Sequence, residues 1–146
     1  PSEKEMKEIA RMGFDFFDIN KKYYLPWMGS AGGLGKVLAV EKDFLMDDLL
    51  SLNSMGADGV EAAIVPSSEY GRELRVGDLQ GYISIAVSAG VPVIVPTQRA
   101  IKTSEVAIIA DTGAKGLMIG AIVTGKTPAS IKKATQAFRI AIDDLG

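Results

Sequence analysis

Polar side chains stand where the apolar runs of this chain end: Asp18 with Asn20, Glu41 with Lys42, Ser67 and Ser68 with Glu69, and Thr97 with Arg99. If those runs are parallel strands, their ends converge on one mouth. A carboxylate beside a lysine can serve as base and cation in proton abstraction next to a carbonyl, or in aldol-type cleavage. Lys42 can also form a Schiff base where it is desolvated. Asp18, Glu41 and Lys42 are therefore the expected catalytic residues. Glu41-Lys42-Asp43 reads equally as a helix-entry turn with Asp43 as its cap. Glu61 interrupts an apolar strand, where a buried carboxylate needs a partner. It belongs either on an enclosed face near the chemistry or on a partly wet one. Residues 67–78 carry Glu69, Arg72, Glu73 and Arg75, a pattern of surface ion pairs first and of substrate or subunit contact second.

What is missing narrows the chemistry further. There is no Cys and no His. That removes disulfides, thiolate nucleophiles, Ser-His and Cys-His catalysis, and the usual zinc ligands. No cofactor is expected; a Mg²⁺ shared between carboxylates and a substrate phosphate is the one metal still open. A net charge of −2, with Lys21-Lys22 and Lys132-Lys133 the only basic pairs, gives no surface for nucleic acid. No apolar stretch approaches the roughly 18 residues of a membrane span, and no signal peptide is visible, so the cytoplasm is the expected location. The chain opens Pro1-Ser2-Glu3 without Met, which reads as a trimmed or cleaved start.

The elements that would position these residues recur as a unit. Four times a helix-like segment runs into a glycine and then into an apolar run, at Gly13, Gly56, Gly90 and Gly113. Glycine ends a helix well because it accepts a left-handed backbone. The runs predict strands at 14–19, 60–65, 91–95 and 117–119, with a fifth at 36–40 after a glycine-rich loop. Near-continuous apolar strands between helices are parallel and covered. Helices are expected at 2–11 with Ser2 as cap, at 43–55 capped by Asp43, after Asp78, at 104–112 capped by Thr103, and after Thr127-Pro128. In the last of these, Ile131, Ala134, Phe138, Ala141 and Leu145 form one stripe. The tract 29–36 departs from a nucleotide-binding loop, since Ser30 stands where glycine is needed and a strand follows Lys36. It is either a lid over the mouth, with Tyr23, Tyr24 and Trp27, or a surface connection.

The alternation demands an α/β fold with a mostly parallel sheet in one domain, residues 1–146. Two architectures fit: a partial (β/α)8 barrel, or an open five-stranded flavodoxin-like doubly wound sheet.

Gly90-Val91-Pro92-Val93-Ile94-Val95, then Ile101-Lys102-Thr103-Ser104-Glu105, then Gly113-Ala114-Lys115-Gly116 through Gly120-Ala121-Ile122, resembles the last two strands of phosphate-binding TIM-barrel enzymes. At motif level the resemblance covers about residues 90–127. It implies a phosphate held by the loops after those strands, at Thr97, Gln98 and Arg99 and at Gly120, Ala121 and Ile122. The first loop departs from the pattern, which favours small residues there, so Arg99 either binds the anion or fills its place. The resemblance further implies a lyase, aldolase or isomerase acting on a small phosphorylated or carboxylated metabolite. A whole barrel needs eight strands, so the chain is expected to be the C-terminal part of a longer barrel or a partial barrel that forms a homo-oligomer. A non-catalytic structural or regulatory module is the alternative.

Overall fold

Ser2 starts the first helix as expected: its hydroxyl accepts the Glu5 N–H, while the Glu5 carboxylate accepts the Ser2 N–H at 2.6 Å. The computed structural model describes residues 2–30 and 32–146; Pro1, where the trimmed start was read, and Ala31, in the glycine-rich tract, lie outside the described residues. In chain order the elements are α1 (Glu3–Arg11), β1 (Phe16–Asn20), β2 (Gly35–Val40), α2 (Met46–Leu50), β3 (Gly59–Ala62), α3 (Val76–Ser88), β4 (Val93–Pro96), α4 (Val106–Asp111), β5 (Gly116–Met118), α5 (Ala121–Thr124) and α6 (Pro128–Asp143). Gly13, Gly56, Gly90 and Gly113 all adopt φ between 63° and 94°, the left-handed joint that L side chains resist.

The five strands form one parallel sheet in the order β1-β2-β3-β4-β5. Strand order never reverses, which overturns the flavodoxin-like alternative, because a doubly wound sheet requires a switch point. The main apolar cluster lies on one face. There Leu38, Val40, Val60, Ala62, Val93 and Val95 pack against Leu49, Leu52, Tyr82, Ile85, Val106, Ile109 and Phe138. By strand alternation, the other face carries Asp18, Asn20, Val37, Ala39, Glu61, Ile94, Pro96 and Met118. One level row crosses it in register: Asn20, Ala39, Glu61, Ile94 and Gly116.

Several helix starts move. The helix expected over 43–55 is only α2, with Asp43 in the preceding turn and no side-chain cap at Leu45. Beyond it the hydroxyls of Ser51 and Ser54 bond back to the carbonyls of Asp48 and Ser51, and such bonds compete with regular helix. Asp78 does not precede α3 but sits in its first turn, where it accepts the Arg75 N–H at 2.9 Å. Thr103 opens a 3-10 turn, and Glu105 closes it by accepting the Lys102 N–H at 2.7 Å. Thr127 caps α6 through Ser130 N, as its Thr-Pro start requires. Of the α6 stripe, Phe138 is buried while Ile131 and Leu145 remain exposed.

The lid reading of the glycine tract is corrected. The Tyr24 hydroxyl donates to Met55 O at 3.1 Å, and a Cβ on Gly29 would stand 2.7 Å from that same carbonyl. Met55 and Gly56 precede β3, so this part of the connection packs at the amino end of the sheet, away from the mouth. Among the described residues no helix is long and apolar enough to cross a membrane.

Candidate functional site

Glu61 occupies the centre of the open face, on the third of five strands, half-buried between Ala39 and Ile94 in the level row. Asp18 lies one row nearer the amino end, level with Val37 and Gly59. Asp18 and Glu61 share this face on either side of β2, near enough for each carboxyl to alter the other's titration. Two neighbouring buried carboxyls do not both carry charge cheaply. Burial pushes Glu61 up to about 7, helped by the charge of Asp18. Burial raises Asp18 as well, and its interaction with Glu61 opposes the rise. The result is a pair of half-buried carboxyls, with Glu61 poised near neutrality, in a chain without histidine. That is acid–base capacity of the kind catalysis uses.

The other two expected catalytic residues lie elsewhere. Glu41 accepts from Asn20 Nδ2 at 2.8 Å and pairs with Lys22 at 3.2 Å. Lys42 is exposed in the turn after β2 and lines a cavity with Phe44, Ile64 and Arg75. An exposed ammonium lacks the desolvation a Schiff-base lysine needs.

The segment after β4 is tied into the fold by the side chains of Thr97, Gln98 and Arg99. Thr97 Oγ1 accepts the Gly120 N–H at 2.8 Å, joining the two loops that the barrel pattern pairs. The Gln98 amide accepts from Val65 N at 3.1 Å and donates to the Tyr70 hydroxyl at 2.7 Å. Arg99, only 3 % exposed, forks onto Asp78 through Nε at 2.8 Å and Nη2 at 2.9 Å. Its third nitrogen reaches Glu69 at 2.8 Å. Those bonds hold Arg99 protonated and draw the Glu69 carboxyl below its ordinary range. Arg99 thus clamps the loop after β3 to the loop after β4, and its fork is filled by carboxylates from the chain. The charged stretch 67–78 is ion-paired at the surface, where Glu73 meets Lys102 at 3.8 Å and Glu69 meets Arg75 at 3.5 Å, and also inward, through Glu69 and Asp78 to Arg99.

Gly120 caps α5 at its N-terminal end with extended backbone. Ala121 and Ile122 are exposed in the first turn of that short helix, whose N–H groups have no intrahelical acceptor. Of the expected phosphate positions, Gly120, Ala121 and Ile122 are exposed, and the Gly120 N–H is already taken by Thr97. Among the described residues no three carboxylates or other metal-ligating side chains gather into a metal centre.

Sequence reasoning singled out Asp18 and flagged Glu61 without joining them. The pairing depends on register across β2, which no local pattern carries. It passed over Asp78 as the partner of Arg99, reading it as a helix cap.

No family model and no curated protein matches the chain. Solved structures do. A cube-shaped, highly porous protein cage designed by fusing symmetric oligomeric domains is similar over 99 % of this chain and 50 % of its own, at 14 % identity and TM-score 0.71. The native KDPGal structure matches over 99 % of this chain and 66 % of its own, at 14 % identity and TM-score 0.70. The thiamine phosphate pyrophosphorylase of Pyrococcus furiosus matches over 99 % and 79 %, at 18 % identity and TM-score 0.65. The chain spans about half the length of the first and about two thirds of the second. At such identities the likeness concerns the fold alone, and that fold is α/β of the TIM-barrel type.

Proposed function

We propose that this chain is the site-bearing part of a TIM-barrel-type metabolic enzyme, a lyase, aldolase or isomerase, acting on a small phosphorylated or carboxylated metabolite. The observation that carries the reading is the Asp18–Glu61 pair on the open face. One carboxylate takes a proton from carbon next to a carbonyl, and the protonated partner gives its own proton to oxygen or to the neighbouring carbon. The backbone N–H groups of Ala121 and Ile122, beside the Thr97–Gly120 bond, are suited to the anionic end of the substrate. A thiamine phosphate pyrophosphorylase among the structures of similar fold supports a phosphorylated ligand.

A thermal-shift screen of phosphorylated and carboxylated metabolites tests this. A true ligand at a hundred times its Kd stabilises by about 2.7 kcal/mol, and Glu61→Gln should keep that shift while losing turnover. A screen in which no anion raises the Tm removes the reading.

A second reading, a non-catalytic module that assembles through its sheet edges, is favoured by one observation. Among the described residues β1 and β5 have a free edge each, and Phe14 and Phe16 beside the β1 edge are 55 % and 51 % exposed. Unpaired edges flanked by apolar side chains invite pairing. Homo-oligomer formation through β1 is compatible with either reading, and persistence of assembly without any anion binding would select the second.

A further inference from the structure

We propose that the cavity between the β2–α2 turn and the β3–α3 loop is a second binding site, taking a small organic anion by its carboxylate or phosphoryl group. Its volume is about 440 Å³, within the range of small-molecule sites. Phe44, Ile64 and Pro66 form an apolar wall, and Lys42 and Arg75 bring positive charge to it. At its inner end the Arg99–Asp78–Glu69 cluster carries one net negative charge, so with Lys42 and Arg75 the lining is positive by one. Asp78 is matched by the fork of Arg99 and does not repel an anion as a free carboxylate would.

A further observation concerns the inner wall. Gly77, in the first turn of the 13-residue α3, lines the cavity, and a Cβ built on it meets nothing within 4 Å. The space beside that backbone is open, and the helix end there is positively polarised. Phe44 and Ile64 belong to the apolar layer under the helices, so the cavity is on the opposite side of the sheet from Asp18 and Glu61. The proposal does not depend on the catalytic reading.

Amide NMR during separate titrations with succinate and inorganic phosphate tests it. Saturable shifts at Val76, Gly77 and Phe44 are expected with at least one anion; succinate alone marks a carboxylate ligand, phosphate alone a phosphoryl one. Lys42→Gln and Arg75→Gln should each weaken binding about tenfold, the value of one charge-assisted contact. Gly77→Leu should abolish these shifts while leaving any phosphate shifts at Ala121 and Ile122 intact. Should that variant fail to fold, Lys42→Gln, on an exposed side chain, decides. The proposal is overturned if neither anion moves these amides, or if Lys42→Gln and Arg75→Gln bind as the wild type does.

Discussion

Glu61 on β3 and Asp18 on β1 lie on one face of the sheet on either side of β2, and burial raises both carboxyls. The arrangement gives the chain one group that titrates near neutrality, and its effect on stability has a definite direction. Glu61 rises from an ordinary 4.5 to about 7 in the folded protein, so between those values the folded state binds more protons than the unfolded one. Stability therefore falls as pH rises from about 4.5 to about 7. Carboxylates held low by ion pairs, such as Glu69, act in the opposite sense and at lower pH. Urea unfolding of wild type and Glu61→Gln across this range should show the fall in wild type alone. Parallel profiles would mean that Glu61 is not raised.

Arg99 is buried and bonded to Asp78 and Glu69. Removing one partner of a buried pair leaves an uncompensated charge, at a cost of about 3–5 kcal/mol. Arg99→Ala should lose stability on that scale in chemical denaturation. Arg99→Lys should recover little, since an ammonium cannot present the two-pronged fork that Asp78 accepts. A lysine variant as stable as wild type would remove the fork from the account.

Gly81 on α3 lies so close to the segment after β3 that a Cβ would stand 2.3 Å from Ile64 Cδ1. Helix propensity favours Gly81→Ala by about 1 kcal/mol, while overpacking costs about 1–3 kcal/mol. The single variant should be destabilised. In an Ile64→Val background, where Cδ1 is gone, the same change should stabilise. A double-mutant cycle measures this, and additivity would show that the contact does not limit helix approach.

Phe14 and Phe16 flank the free edge of β1. Replacing both with Ser should shift the protein toward monomer in sedimentation or light scattering at micromolar concentration without lowering its Tm, since neither side chain is in the apolar core. An unchanged assembly state would move the contact to another surface.

The amino-acid sequence by itself determined the repeated strand-and-helix pattern, the left-handed glycine joints at Gly13, Gly56, Gly90 and Gly113, the Ser2 and Thr127 caps, and the absence of histidine and cysteine chemistry. Those are local matters: a backbone conformation, a side chain within three residues of its acceptor, a residue type present or not. Tertiary structure alone decided that the strands run in unbroken order, that Glu61 finds Asp18, and that Arg99 is claimed by Asp78 and Glu69. Each of these joins residues at least 21 positions apart, and sheet register or loop packing, rather than spacing along the chain, sets which side chains meet.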